Sequence, residues 1–144
     1  MKQLAPMRAW LMLLLAVTAC HTFADTEVNA NRARFNYMLN CQGCHSADGS
    51  GIGDIPEMKN FVGNFLRVPG GREFLVRVPG SANAPLNDAL LAELLNWMLM
   101  EMSADELPAD WQPYTEAEVT AYRSTPLLDV EKLRTVLIDR IDAL

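Results

Sequence analysis

Two cysteines two residues apart, followed at once by a histidine, constrain this chain more than any other feature: Cys41-Gln42-Gly43-Cys44-His45. On a helical turn the two thiols fall close enough together to act on one partner. Four uses of such a pair compete. A structural zinc site needs four nitrogen or sulfur ligands, and outside the motif the chain has only Cys20 and His21 to add. A thioredoxin-like redox pair expects a preceding strand, whereas this pair follows a helical pattern and precedes a glycine-rich loop. A disulfide across two residues is strained and leaves His45 without a role. Covalent haem attachment uses all three residues: each thiol adds to one vinyl group, and the adjacent imidazole reaches the iron.

The 144 residues, half of them hydrophobic, suffice for one modest core and exclude disorder as the general state. Acidic residues outnumber basic ones by 18 to 12, which argues against a protein that coats nucleic acid. The first two dozen residues have Lys2 and Arg8 as their only charges, then an apolar run over 9–18, then small residues. That pattern predicts a secretory signal peptide, too short in its apolar part for a transmembrane helix. Cleavage after Ala24 would discard Cys20. The lipoprotein-like Val17-Thr18-Ala19-Cys20 would instead make Cys20 a lipidated N-terminus, the one route by which the chain would meet a membrane. Either route takes the folded part to the periplasm. There, residues 25–144 hold 10 basic and 18 acidic side chains, so the exported part is distinctly acidic.

Beyond the leader the periodicity is helical throughout, and no convincing strand alternation occurs. Val28, Phe35, Met38 and Leu39 mark a first helix over 28–39, with Asn29 or Asn31 as its cap. Residues 46–56 form a loop whose glycines at 49, 51 and 53 suit tight turns against a flat partner; no phosphate-binding signature follows them. A short helix is expected over 72–77. The clearest helix runs over 88–102 behind Asn87, with Leu91, Leu94, Leu95, Met98 and Met102 at helical spacing and Met100 off that face. Residues 103–114 connect it to a capping-box helix opened by Thr115 and Glu118 and running to about Arg123. Pro126 ends that helix, and a last one follows Asp129 with Leu133, Val136, Leu137 and Ile141.

With Cys41-Gln42-Gly43-Cys44-His45, Gly49, Gly51, Ile55-Pro56 and the helix leading to Trp97-Met98, residues 28–102 resemble the class I c-type cytochromes. The resemblance implies an all-α, cytochrome c-like domain (25–102) around one covalent haem c, with a helical C-terminal extension over 103–144. It also implies a proximal ligand in His45, a Pro56 segment on the proximal side of the haem, and crossing first and last core helices.

The chain departs from that family at the second axial ligand, because no methionine occurs between Met58 and Met98. The slot in question reads Val78-Pro79-Gly80-Ser81-Ala82-Asn83-Ala84-Pro85-Leu86. Met58 is the nearest substitute, and it also fits an apolar packing role. Lys59, Asn83 or an open site are the other options. Arg67, Arg72 and Arg77 are suited to pairing with haem propionates, Arg72 and Arg77 foremost. Trp97 reads as a packed aromatic rather than an electron relay, while Trp111 and Tyr114 are placed to pin the extension onto the core.

These features predict a periplasmic electron carrier, not an enzyme, that passes single electrons to and from redox partners such as a dehydrogenase or a membrane oxidoreductase. Two alternatives stand beside it. One is a five-coordinate haem protein that binds a small gas. The other is a fixed dehydrogenase subunit docked through the C-terminal helices.

Overall fold

Asn87 opens the helix around which the rest of the chain assembles. Its side-chain oxygen accepts from Leu90 N at 2.9 Å, and Asp88 places a negative charge in the first turn. This helix, α5 (Asp88–Met102), buries the expected Leu91, Leu94, Leu95, Met98 and Met102, and also Ala92, Asn96, Trp97 and Leu99. A helix covered on so much of its circumference is central, not a surface helix. The computed structural model describes residues 28–125 and 127–144. The expected leader with its two cleavage points, Cys20 and His21 lies outside the described residues, as does Pro126.

Before α5 in the chain come α1 (Ala30–Asn40), α2 (Gln42–His45), α3 (Gly71–Arg77) and α4 (Pro79–Ala82); α6 (Glu116–Arg123) and α7 (Val130–Asp142) follow it. A 3-10 segment, Val62–Arg67, precedes α3, and a 3-10 turn, Ala104–Glu106, interrupts the connector. Among the described residues there is no strand, and no helix is long and apolar enough to cross a membrane. The protein is all-α.

Asn29 caps α1 by accepting from Arg32 N at 3.0 Å. Ala33 and Tyr37 then face α5, where the Tyr37 and Trp97 rings pack with centroids 5.6 Å apart. Arg32 reinforces the contact with two bonds of 2.7 Å to the Glu93 carboxylate. On another side of α5 lies α6, whose capping box is complete: Thr115 Oγ1 accepts from Glu118 N at 3.2 Å and Glu118 Oε2 accepts from Thr115 N at 3.1 Å. Helix α3 packs against α6 and the 3-10 segment, and α7, with Leu137 buried, packs against that same segment.

The C-terminal extension belongs to the same core. Tyr114, Val119 and Leu137 are buried in one cluster with Tyr37, Phe65, Phe74 and the α5 leucines. Burying each such side chain contributes about 1.5–3 kcal/mol. Polar contacts lock the boundary as well. Asn96 Nδ2 donates to Tyr114 O at 3.0 Å, and Tyr114 N donates back to Asn96 Oδ1 at 2.6 Å. Arg123 donates to the carbonyls of Ala82, Ala84 and Leu86 and to the Asp88 carboxylate, the last at 2.7 Å. Arg140 reaches from α7 to Pro69 O at 2.8 Å. The extension's amphipathic helices have thus found their partner surface within the chain.

Candidate functional site

Helix α1 delivers the cysteine motif directly. Cys41 N donates to Tyr37 O at 2.8 Å, so the motif continues from the last turn of α1 with a break at Cys41 only. Cys44 N and His45 N then both donate to Cys41 O, at 3.1 and 3.0 Å, and this closes the turn that bears both thiols. Among the described residues neither cysteine is paired; Cys44 is exposed and Cys41 half-buried. Burial, with a further contribution from Cys44, pushes the Cys41 thiol up to about 11, so it is protonated at neutral pH.

His45 is oriented from behind. Its Nδ1 lies 3.1 Å from the carbonyl of Pro56. A carbonyl only accepts, so the contact puts the proton on Nδ1 and leaves Nε2 with its lone pair free. Burial lowers the His45 pKa and outweighs the opposing effect of the Pro56 carbonyl, which favours the neutral ring. An imidazole whose second nitrogen donates to a backbone carbonyl is the arrangement that metal-ligating histidines adopt.

The glycine loop makes this possible by folding back on the motif. Gly49 and Gly51 have φ of 80° and 75°, in the left-handed region. A Cβ on Gly49 would lie 2.7 Å from Met102 Sδ, and one on Gly51 would lie 2.5 Å from Ile55 O. What the loop presses against at Gly49 is therefore the Met102 thioether. The Gly49 carbonyl accepts from Met58 N at 2.8 Å and Lys59 N at 3.1 Å, and Asn60 N donates to Met102 O at 2.7 Å. The loop is thereby closed and tied to the C-terminal end of α5.

Around the motif several large apolar side chains face outward. Phe35, Met38 and Leu39 on α1 are 58, 51 and 66 % exposed, and Ile52 and Ile55 in the loop are exposed too. Ser46, immediately after His45, is a second anomaly. Its φ of 62° and ψ of 170° fall in a region used almost only by glycine, at a cost of about 1–3 kcal/mol. Its carbonyl accepts from the Tyr37 hydroxyl at 2.7 Å. Burial pushes the Tyr37 hydroxyl up to about 12, which keeps it a donor over the whole physiological range.

Other expected site residues are placed differently. Met58 packs its side chain against the core cluster, and its backbone is pinned to Gly49 O in the loop segment that braces His45. Lys59 pairs with Asp48 at 3.0 Å. Arg72 and Arg77, expected at propionates, turn their donors to the extension. Arg72 makes two bonds of 2.8 and 2.9 Å to Glu118, donates to the carbonyls of Gln112 and Pro113, and lies 4.1 Å from the Tyr114 ring centroid. Arg77 donates to Thr125 O. A folded extension offers fixed carbonyls and a carboxylate to these guanidinium groups, and residues 103–144 supply them. Arg67 donates to Asn64 Oδ1 at 3.2 Å, and Asn83 is exposed.

A groove of about 470 Å³ runs beside the motif between α1 and α5, lined by Tyr37, Met38, Gln42, Lys59, Trp97 and Glu101 among others. Neither thiol nor His45 lines it. Among the described residues no group of three or more His, Cys, Asp and Glu converges as a metal-binding cluster, so the zinc reading gains no ligands from the fold.

The residues present fit a haem. Two free thiols share one helical turn with an imidazole whose Nε2 is unengaged, and the adjoining helix and loop expose apolar side chains. Sequence reading missed Tyr37 and Ser46. The spacing of Tyr37, four residues before Cys41, was the available signal, since positions i and i+4 share a helix face. No protein-family model matches the sequence, and no curated protein matches it.

Proposed function

We propose that this chain is a periplasmic, monohaem c-type cytochrome that carries single electrons between redox partners. The observation that carries this reading is the contact between His45 Nδ1 and Pro56 O at 3.1 Å, which leaves Nε2 free beside two unpaired thiols. Haem would supply a one-electron iron couple there. Cys41 and Cys44 would hold it by thioether bonds, and His45 would be its proximal ligand. Pro56 holds the imidazole in one orientation and one tautomer. The apolar side chains of α1 and the loop lower the local polarity, which favours the state of lower charge and tunes the potential.

A second reading, an open sixth position that takes a small gas, draws support from Met58 and Lys59. The first is packed on the core and backbone-pinned in the segment that braces His45; the second is paired with Asp48. The third reading, a fixed dehydrogenase subunit docked through the extension, draws less support, because Tyr114, Val119 and Leu137 are already buried within the chain.

Expression with the haem-attachment machinery tests the proposal. The expected product retains haem through acid–acetone extraction, and Cys41→Ala/Cys44→Ala abolishes that retention. Haem that extracts freely from the unsubstituted protein would sink the c-type reading. Carbon monoxide then separates the first two readings. No spectral response, together with a methionine-to-iron band lost in Met58→Ala, means a closed carrier with Met58 as ligand. A high-spin spectrum that shifts on addition means an open iron.

A further inference from the structure

Ser46 ends the turn that bears His45, in backbone conformations that glycine alone enters freely. Such a residue persists only where its surroundings hold it. Two groups do so. Its own hydroxyl donates to Gly51 O at 2.9 Å, a bond confined to the loop. Its carbonyl accepts from the Tyr37 hydroxyl at 2.7 Å, and Tyr37 is 1 % exposed with its ring packed on Trp97. The first holder moves with the loop, whereas the second is anchored in the packing of α1 on α5. Tyr37 also accepts from Cys41 N through its own carbonyl at 2.8 Å. One residue therefore grips the five-residue motif at its first position and just beyond its last.

We propose that Tyr37 is a positioning residue for His45. Its hydroxyl holds Ser46 in the strained conformation, and that conformation sends the chain into the loop that brings Pro56 O to His45 Nδ1. The functional consequence rests on the reading of His45 as an iron ligand; the geometry does not. Phenylalanine at 37 keeps the ring on Trp97 and removes only the hydroxyl. Glycine at 46 adopts the same backbone without strain and no longer needs a holder. The two substitutions are therefore coupled, which a purely packing role for Tyr37 would not produce.

The test is a double-mutant cycle on the holoprotein: unsubstituted, Tyr37→Phe, Ser46→Gly and the pair. Two quantities are read: the water-exchange rate of the His45 Nδ1 proton, by NMR on the reduced protein under carbon monoxide, and the midpoint potential. Circular dichroism verifies that each variant folds. The expected result is an exchange rate raised about tenfold by Tyr37→Phe when residue 46 is serine, the equivalent of one lost hydrogen bond. The potential shifts with it. With glycine at 46, both effects of Tyr37→Phe are several-fold smaller. The same factor in both backgrounds, or no change in either, overturns the proposal. If the chain takes up no covalent haem, the c-type reading fails, and the exchange cycle on the protein as expressed still decides the role of Tyr37.

Discussion

Helices α1 and α5 both carry apolar residues at helical spacing, yet they end in opposite situations. Helix α5 buries nine of its fifteen residues, and even its polar Asn96 is matched by reciprocal bonds to Tyr114. Helix α1 buries only Ala33, Asn36 and Tyr37, while Phe35, Met38 and Leu39 point outward. The polar contacts divide in the same way. Near α5 the arginines of the core and the extension reach fixed carbonyls and carboxylates. Near the motif the loop is largely exposed, and one residue, Ser46, is strained. The half of the molecule that holds the fold together is closed, and the half that carries Cys41, Cys44 and His45 is left open. Such an opening is what the proposed haem would need, because a site filled by its own side chains has no room for a large apolar group.

The largest expected effect breaks the closed half. Leu99 is fully buried in α5, so Leu99→Ala removes packed volume that its neighbours cannot refill, at a cost of about 2–5 kcal/mol. Thermal or denaturant unfolding measures it. A cost below that of an exposed substitution would mean that α5 is not the centre of the core.

An intermediate effect belongs to the clasp between core and extension. The Arg72 side chain holds the Glu118 carboxyl below its ordinary range, chiefly through their hydrogen bonds. A carboxyl whose folded pKa lies below the unfolded value stabilises the fold above the unfolded pKa and loses that contribution as pH falls through the folded one. Stability should therefore decline on acidification below the ordinary carboxylate range, and Glu118→Gln should remove this part of the decline. At neutral pH the substitution should cost roughly 1–3 kcal/mol. Unfolding curves at pH 7 and at acid pH read both; an unchanged acid slope in Glu118→Gln would place the acid sensitivity elsewhere.

The smallest effect belongs to the open half. In the protein before haem is attached, Phe35→Ser and Leu39→Ser change exposed positions and should leave stability within about 0.5 kcal/mol. A cost of several times that would show that something covers the outer face of α1 in solution, and the contrast between the two helices would then need redrawing.

What sequence alone could determine here is whatever depends on neighbours along the chain. Helix caps and apolar spacing are local. Asn29, Asn87, the Thr115–Glu118 box and Asp129 all stand where the helices begin, and α5 spans residues 88–102 as its spacing predicts. The motif is local as well, because one helical turn places Cys41, Cys44 and His45 together whatever the rest of the chain does. Tertiary structure decided which charges meet. Arg72 lies 46 residues from Glu118 and Arg123 lies 41 from Ala82, and no short-range rule links them. Of the arginines suited to propionates by type alone, Arg72 and Arg77 direct their donors to the extension. Tertiary structure also decided that Pro56 O meets His45 and that Tyr37 holds Ser46. Those contacts depend on a loop whose path is set by three left-handed glycines, by Met102 on a distant helix and by one strained serine. Local preference opposes that serine's conformation, so only the packed whole could impose it.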